Sequence, residues 1–127
     1  MLTALIDYES GNLHSALKAF EKISSENSLG SVTITNDPEI ISNADRLVLP
    51  GDGAFPACKA ALEKSEVFEA LKHAVLAKRR PFLGICVGMQ LMARKGFEFE
   101  QTNGLNWING QVERIQLDDP SLKIPHM

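Results

Sequence analysis

A chain of 127 residues with 44% hydrophobic and 23% charged side chains can bury one real core, so it reads as a single domain over residues 1–127. Its net charge of −3 gives no electrostatic case for nucleic acid or an anionic membrane surface. No apolar stretch approaches the length of a bilayer span, and the N-terminus shows no export signal. Two cysteines, Cys58 and Cys86, fit no metal-ligand spacing. The expectation is a reduced cytoplasmic protein with no disulfide, metal or cofactor.

The elements alternate along the chain. Leu2 to Ile6 reads as a first strand, followed by the polar turn Asp7-Tyr8-Glu9-Ser10-Gly11-Asn12. Leu13, Ala16, Leu17 and Phe20 then recur at helical spacing. Val32 to Thr35 is β-branched enough for a second strand, and Asp37-Pro38-Glu39 has the N-cap, N1 proline and early acid that open a short helix. Arg46 to Leu49 is a third strand, stopped by Pro50-Gly51. A loop to Pro56 precedes a helical segment over Ala57 to Lys64. Ser65 is expected to cap a further helix whose apolar face carries Val67, Phe68, Leu71, Ala74 and Val75. Pro81 to Ile85 is the fourth strand, with a helix-compatible stretch over Met89 to Arg94 beyond it. The segment Leu105 to Ile115 reads as two short strands around the Asn109-Gly110 turn.

This alternation implies an α/β fold: an open, mostly parallel sheet with helices on both faces. In such sheets ligands bind beyond the carboxyl ends of the strands, where the first, third and fourth strands each end in a glycine-bearing loop.

Gly84-Ile85-Cys86-Val87-Gly88-Met89-Gln90 carries the strongest chemical signal. An apolar strand runs into a cysteine flanked two residues either side by glycine, and a helix follows. That is the layout of a nucleophile elbow, where the turn is tight enough that backbone packs on backbone. A sulfur at a helix N-terminus would be favoured as thiolate, the reactive form. A buried structural cysteine beside two packing glycines explains the residue types of this segment equally well.

The elbow resembles the nucleophile motif of the class I (triad) glutamine amidotransferases, a flavodoxin-like family. Three further segments resemble the glutaminase subunits of imidazole glycerol phosphate synthase, from histidine biosynthesis. They are Asp7-Tyr8-Glu9-Ser10-Gly11-Asn12-Leu13, Leu49-Pro50-Gly51-Asp52-Gly53-Ala54-Phe55 and Ile124-Pro125-His126-Met127. The resemblance implies hydrolysis of glutamine to glutamate and ammonia through a thioester on Cys86. It implies an oxyanion hole from the backbone N–H groups of Val87 and Asp52, with Gly51, Gly53 and Gln90 holding the glutamine. It also implies a (β/α)8-barrel cyclase subunit as partner, docked on the edge that carries Asn12 and His14. A glutaminase subunit of another synthase, or a non-catalytic remnant of the fold, are the competing readings.

Two departures from the family pattern stand out. Asp52 replaces an apolar residue common at its position, and its side chain is expected to point away from the sulfur, leaving only its amide for chemistry. The family's general base is a histidine oriented by a glutamate downstream of the elbow. His14, His73 and His126 are poor substitutes for it, so the chain is expected to be the N-terminal portion of a longer subunit, inefficient by itself. Cys58, in a helical segment, is read as a packing residue.

Overall fold

The computed structural model describes residues 1–125; His126 and Met127 of the Pro-His-Met segment lie outside the described residues. Four strands, β1 (Leu2–Ile6), β2 (Ser31–Thr35), β3 (Arg46–Leu49) and β4 (Phe82–Gly84), form one all-parallel sheet in the order β2-β1-β3-β4. They are joined by α1 (Leu13–Asn27), α2 (Pro38–Asn43), α3 (Phe55–Lys64) and α4 (Phe68–Lys72), the last continuing into a π-helical turn over His73–Ala77. The one-turn helix α5 (Val87–Gln90) follows β4. Then comes a small three-stranded sheet, β5 (Ala93–Gly96), β6 (Thr102–Asn103) and β7 (Ile108–Val112), in the order β6-β5-β7. Among the described residues no helix is long and apolar enough to cross a membrane.

The side-chain alternation of the strands divides the sheet into two unlike faces. Ala4, Ile6, Leu47 and Leu49 join Ile41, Leu62, Val67, Leu71 and Ala74 in the main core, under α2, α3 and α4. On the opposite face one register row runs Ile34, Leu5, Val48, Leu83 across the four strands. Leu5 and Val48 are buried there but Leu83 is exposed, because α1 packs on the β2 side and leaves β4 uncovered. Helices therefore lie on both faces, unevenly.

Local chemistry explains most boundaries. The Asp37 carboxylate accepts from the Glu39 N–H at 2.8 Å and Pro38 sits at the first helical position, as the sequence reading requires. Val67, Leu71 and Ala74 are buried on one helical stripe, also as expected. Ser65 differs: its N–H and hydroxyl both bond carbonyls at the end of α3, so it closes that helix and does not open α4.

Two further expectations fail downstream of the elbow. The helix ends at Gln90, because the chain turns at Leu91-Met92 and enters β5, which puts Ala93 and Arg94 in a strand. Asn109-Gly110 is not a hairpin turn but lies within β7, which runs parallel to β5. Local turn propensity yields to tertiary pairing here: Ile108 N–H bonds the Met92 carbonyl and Phe97 N–H bonds the Val112 carbonyl, both at 2.9 Å. The small sheet is tied to the core through Phe82 and Trp107, edge to face at 5.1 Å, and through Gly96, whose backbone lies flat against the Phe55 ring.

The contrast between faces sets a stability test. Leu71 is fully buried whereas Leu76, further along the same helical segment, is 57% exposed. Leu71→Ala should lower the unfolding free energy by about 2–5 kcal/mol in urea titration, and Leu76→Ala by less than about 0.5 kcal/mol. Equal losses would show that the core is not where the structure places it.

Candidate active site

Three loops meet at the carboxyl edge of the sheet because β1, β3 and β4 are parallel and adjacent. The loop after β4 is the elbow. Cys86 takes φ 56° and ψ −121°, a left-handed conformation that a side chain other than glycine seldom adopts. It is exposed, whereas Cys58 is buried. The flanking glycines are explained by contact distances. A Cβ on Gly88 would stand 1.9 Å from the Leu49 carbonyl oxygen, and one on Gly84 would stand 2.5 Å from the Met89 Cα. Both are backbone-on-backbone approaches that only glycine permits. The hydrogen bonds Gly88 N–H to the Ile85 carbonyl and Gln90 N–H to the Cys86 carbonyl, at 3.0 and 3.1 Å, close the turn. With a single turn, α5 sums few peptide dipoles, and the helix expected to run on to Arg94 stops at Gln90.

The loop after β3 lies directly on the elbow: a Cβ on Gly51 would come within 2.6 Å of the Gly88 nitrogen and 3.0 Å of the Val87 Cβ. This loop is held from the first one. The Tyr8 hydroxyl donates to the Pro50 carbonyl at 2.7 Å, in a buried setting. Ser10 grips the next residue but one: its Oγ accepts from the Asp52 N–H at 3.1 Å and lies 3.0 Å from the Asp52 carbonyl, to which it donates. Cys58 Sγ approaches the same carbonyl at 3.4 Å. The Asp52 side chain is exposed, but its N–H is not free at the elbow, because Ser10 engages it.

Beside the elbow lies a cavity of about 400 Å³ lined by Gly53, Val87, Gln90, Glu98 and the 112–114 segment. It brings together three of the residues singled out from sequence. Glu98, which sequence reasoning missed, adds a carboxylate whose Oε2 accepts from the Phe55 N–H at 2.8 Å. That bond ties the small sheet's loop to the start of α3, a long-range contact with no local sequence signal. A separate depression, about 610 Å³, is lined by Asn12, His14 and Asp52 among others. Asn12 also has a structural task, since its Oδ1 accepts from the Ser15 N–H and caps α1. His14 and His73 are exposed and neither lines the cavity at the elbow; His126 lies outside the described residues.

Burial pushes the Tyr8 phenol up to about 12, against a smaller downward pull from Ser10. The native state thus holds this proton more tightly than the unfolded chain, so its contribution to stability is complete below pH 10 and is lost as pH rises toward 12. Tyr8 is the single tyrosine of the chain, so tyrosinate absorbance reports it alone. The native protein should titrate near 12 and the urea-unfolded protein near the ordinary value of about 10. A native midpoint near the ordinary value would remove Tyr8 as a buried anchor of the Pro50 loop.

Comparison with known proteins agrees with this geometry. The family described as glutamine amidotransferase class-I matches residues 4–114. Imidazole glycerol phosphate synthase subunit HisH of Ruegeria pomeroyi is 58% identical over 128 residues, covering all of this chain and 60% of the relative. The subunit HisH of Cereibacter sphaeroides is 56% identical with the same coverage, and that of Caulobacter vibrioides is 50% identical over 98% of this chain and 59% of the relative. The chain thus spans about 60% of the length of these curated relatives. An elbow cysteine on a parallel sheet and a family match over most of its length place this chain in the class-I glutamine amidotransferases.

Proposed function

We propose that this chain is the nucleophile-bearing part of the glutaminase subunit of a cytoplasmic imidazole glycerol phosphate synthase, acting in histidine biosynthesis. The observation that carries the reading is Cys86, exposed at a positive φ between β4 and α5, with the Gly51 loop packed on the elbow. The similarity to HisH subunits supports the choice of synthase.

In this reading glutamine occupies the cavity beside the elbow, with its side-chain amide at Cys86. Gly53 and Gln90 shape its seat and Glu98 offers a carboxylate for the substrate's ammonium group, while Gly51 does not line the cavity and serves by packing on the elbow. The Cys86 thiolate adds to the amide carbon and the carbonyl oxygen becomes an oxyanion. Collapse expels the nitrogen as ammonia once it has gained a proton, leaving a thioester. Water then adds to the thioester, a second oxyanion forms, and glutamate departs as the thiolate returns. Both oxyanions call for the same backbone donors. The Val87 N–H is the first N–H of α5, a position with no acceptor inside its own helix. The Asp52 N–H is the second, once it exchanges Ser10 Oγ for the oxyanion. A bond to a full negative charge is stronger than one to a hydroxyl, which favours that exchange. The general base is a histidine oriented by a glutamate, as in the family, and neither His14 nor His73 fills that role.

Assays on the intact gene product test the chemistry. Cys86→Ala should lower glutamine hydrolysis by roughly 10⁶-fold, as loss of a triad nucleophile does. Asp52→Asn and Asp52→Val should stay within about threefold of the parent, since the exposed side chain contributes no donor to the oxyanion. Full activity in Cys86→Ala would remove the thioester mechanism.

The partner is a (β/α)8-barrel cyclase subunit, with ammonia passing across a sealed interface where it meets no bulk water. Asn12, His14 and Asp52 share one depression at the strand-end edge, and that is the face proposed to dock. Because Asn12 caps α1, replacement by lysine would confound docking with helix stability, whereas aspartate caps equally well. Asn12→Asp should therefore leave thermal stability unchanged and weaken association with the cyclase by roughly tenfold, read by titration calorimetry. Unchanged affinity would move the docking face elsewhere.

A further inference from the structure

We infer that Cys58 is a positioning residue of the glutamine site, and not a packing residue alone. Its placement in the core accounts for its burial but not for where its sulfur points. Cys58 sits in the first turn of α3, with its N–H bonded to the Ala54 carbonyl at 3.0 Å. Its Sγ turns back to the loop that precedes the helix, 3.4 Å from the Asp52 carbonyl and 3.3 Å from Ser10 Oγ. Two side chains from distant elements thus converge on one backbone carbonyl.

That carbonyl shares its peptide plane with the Gly53 N–H. This peptide bond is trans, as are all those among the described residues, so the two groups point in opposite directions. Holding the carbonyl toward Cys58 and Ser10 turns the Gly53 N–H away from them and fixes the bearing of a residue that lines the cavity with Val87 and Gln90. Side-chain packing gives no help at this point. Gly53 has φ 111°, nothing stands within 4 Å of where its Cβ would be, and the Asp52 side chain is exposed. The loop is instead held by polar ties: Tyr8 at Pro50, Ser10 and Cys58 at Asp52, and Glu98 at Phe55. Cys58 is the tie supplied by the helix that the loop itself leads into, so it fixes the loop relative to α3.

The inference rests on the proposed glutaminase reading, and three substitutions in the intact gene product with its cyclase test it. Cys58→Ser keeps the size and the donor. Cys58→Val keeps the volume and the apolar contacts but loses the donor, and Cys58→Ala loses both. A thiol is a weak donor, so the effects are modest. If Cys58 positions the loop, Ser should match the parent, whereas Val and Ala should raise the KM for glutamine by about two- to fivefold with kcat nearly unchanged. Amide hydrogen exchange over residues 51–54 should be faster in Val and Ala and unchanged in Ser. A residue that only packs gives the reverse order, with Val like the parent and Ser destabilised by its buried hydroxyl, and that order overturns the inference. The exchange measurement needs no turnover. A parent that hydrolyses no glutamine would therefore defeat the glutaminase reading while exchange still decides whether Cys58 holds the loop.

Discussion

The contact on which the rest of the site depends is between two stretches of bare backbone. Leu49 and Pro50, leaving the third strand, press against Gly88 at the start of α5, so closely that a Cβ on Gly88 would stand 1.9 Å from the Leu49 carbonyl oxygen. The Ile85 N–H bonds that same carbonyl at 2.9 Å, so one oxygen closes the β3–β4 ladder and faces the elbow. This contact seats Gly51 on the elbow, against Val87 and Gly88. It also explains the glycines at 51 and 88, which lie opposite one another: Gly51 would meet the Gly88 nitrogen as Gly88 would meet Leu49. A methyl group on either would drive the two loops apart and separate the sulfur from the donors meant to serve it.

Holding Cys86 at φ 56° costs about 1–3 kcal/mol, typical of a side chain kept in a sparsely populated region. A single turn of helix cannot impose that conformation. The constraint comes from the sheet below: Leu49 and Leu91 are fully buried, and Val87 nearly so, which pins both sides of the turn to the core. The scaffold and the site thus divide the labour. One face of the parallel sheet supplies the burial that fixes the elbow, and the carboxyl edge presents it to solvent.

How much of this was legible in the sequence follows from the range of each interaction. The four parallel strands, the Asp37 cap and the Val67–Leu71–Ala74 stripe rest on residues within a turn or two of each other, and they were readable. The elbow was readable too, because its glycines are required by local geometry as well as by the Leu49 contact. Ser65 was misread because a serine between two helical segments can close one as well as open the next, and only the Leu62 carbonyl decides. The Asn109-Gly110 hairpin failed for a related reason: β5 offers β7 a parallel partner that no local pattern announces. Ser10 and Glu98 were missed as site residues because each acts on backbone supplied by another part of the fold: Ser10 on Asp52, 42 positions away, and Glu98 on Phe55, 43 away.

Those missed residues share a chemical character that bears on how the site works. Each, like Cys58, satisfies a backbone group along the segment from Asp52 to Phe55. Pro50, Asp52 and Phe55 are held by a phenol, a hydroxyl with a thiol, and a carboxylate, drawn from β1's loop, α3 and the loop before β6. A loop fixed by packing has one stable position, since buried apolar contacts yield only at a cost of several kcal/mol. A loop fixed by single hydrogen bonds can exchange partners at about 1 kcal/mol each. The Asp52 N–H needs that freedom, because its bond to Ser10 must give way when charge develops on the substrate. Polar ties on a bare-backbone loop are thus the physical form suited to a donor that is occupied before the reaction and required during it.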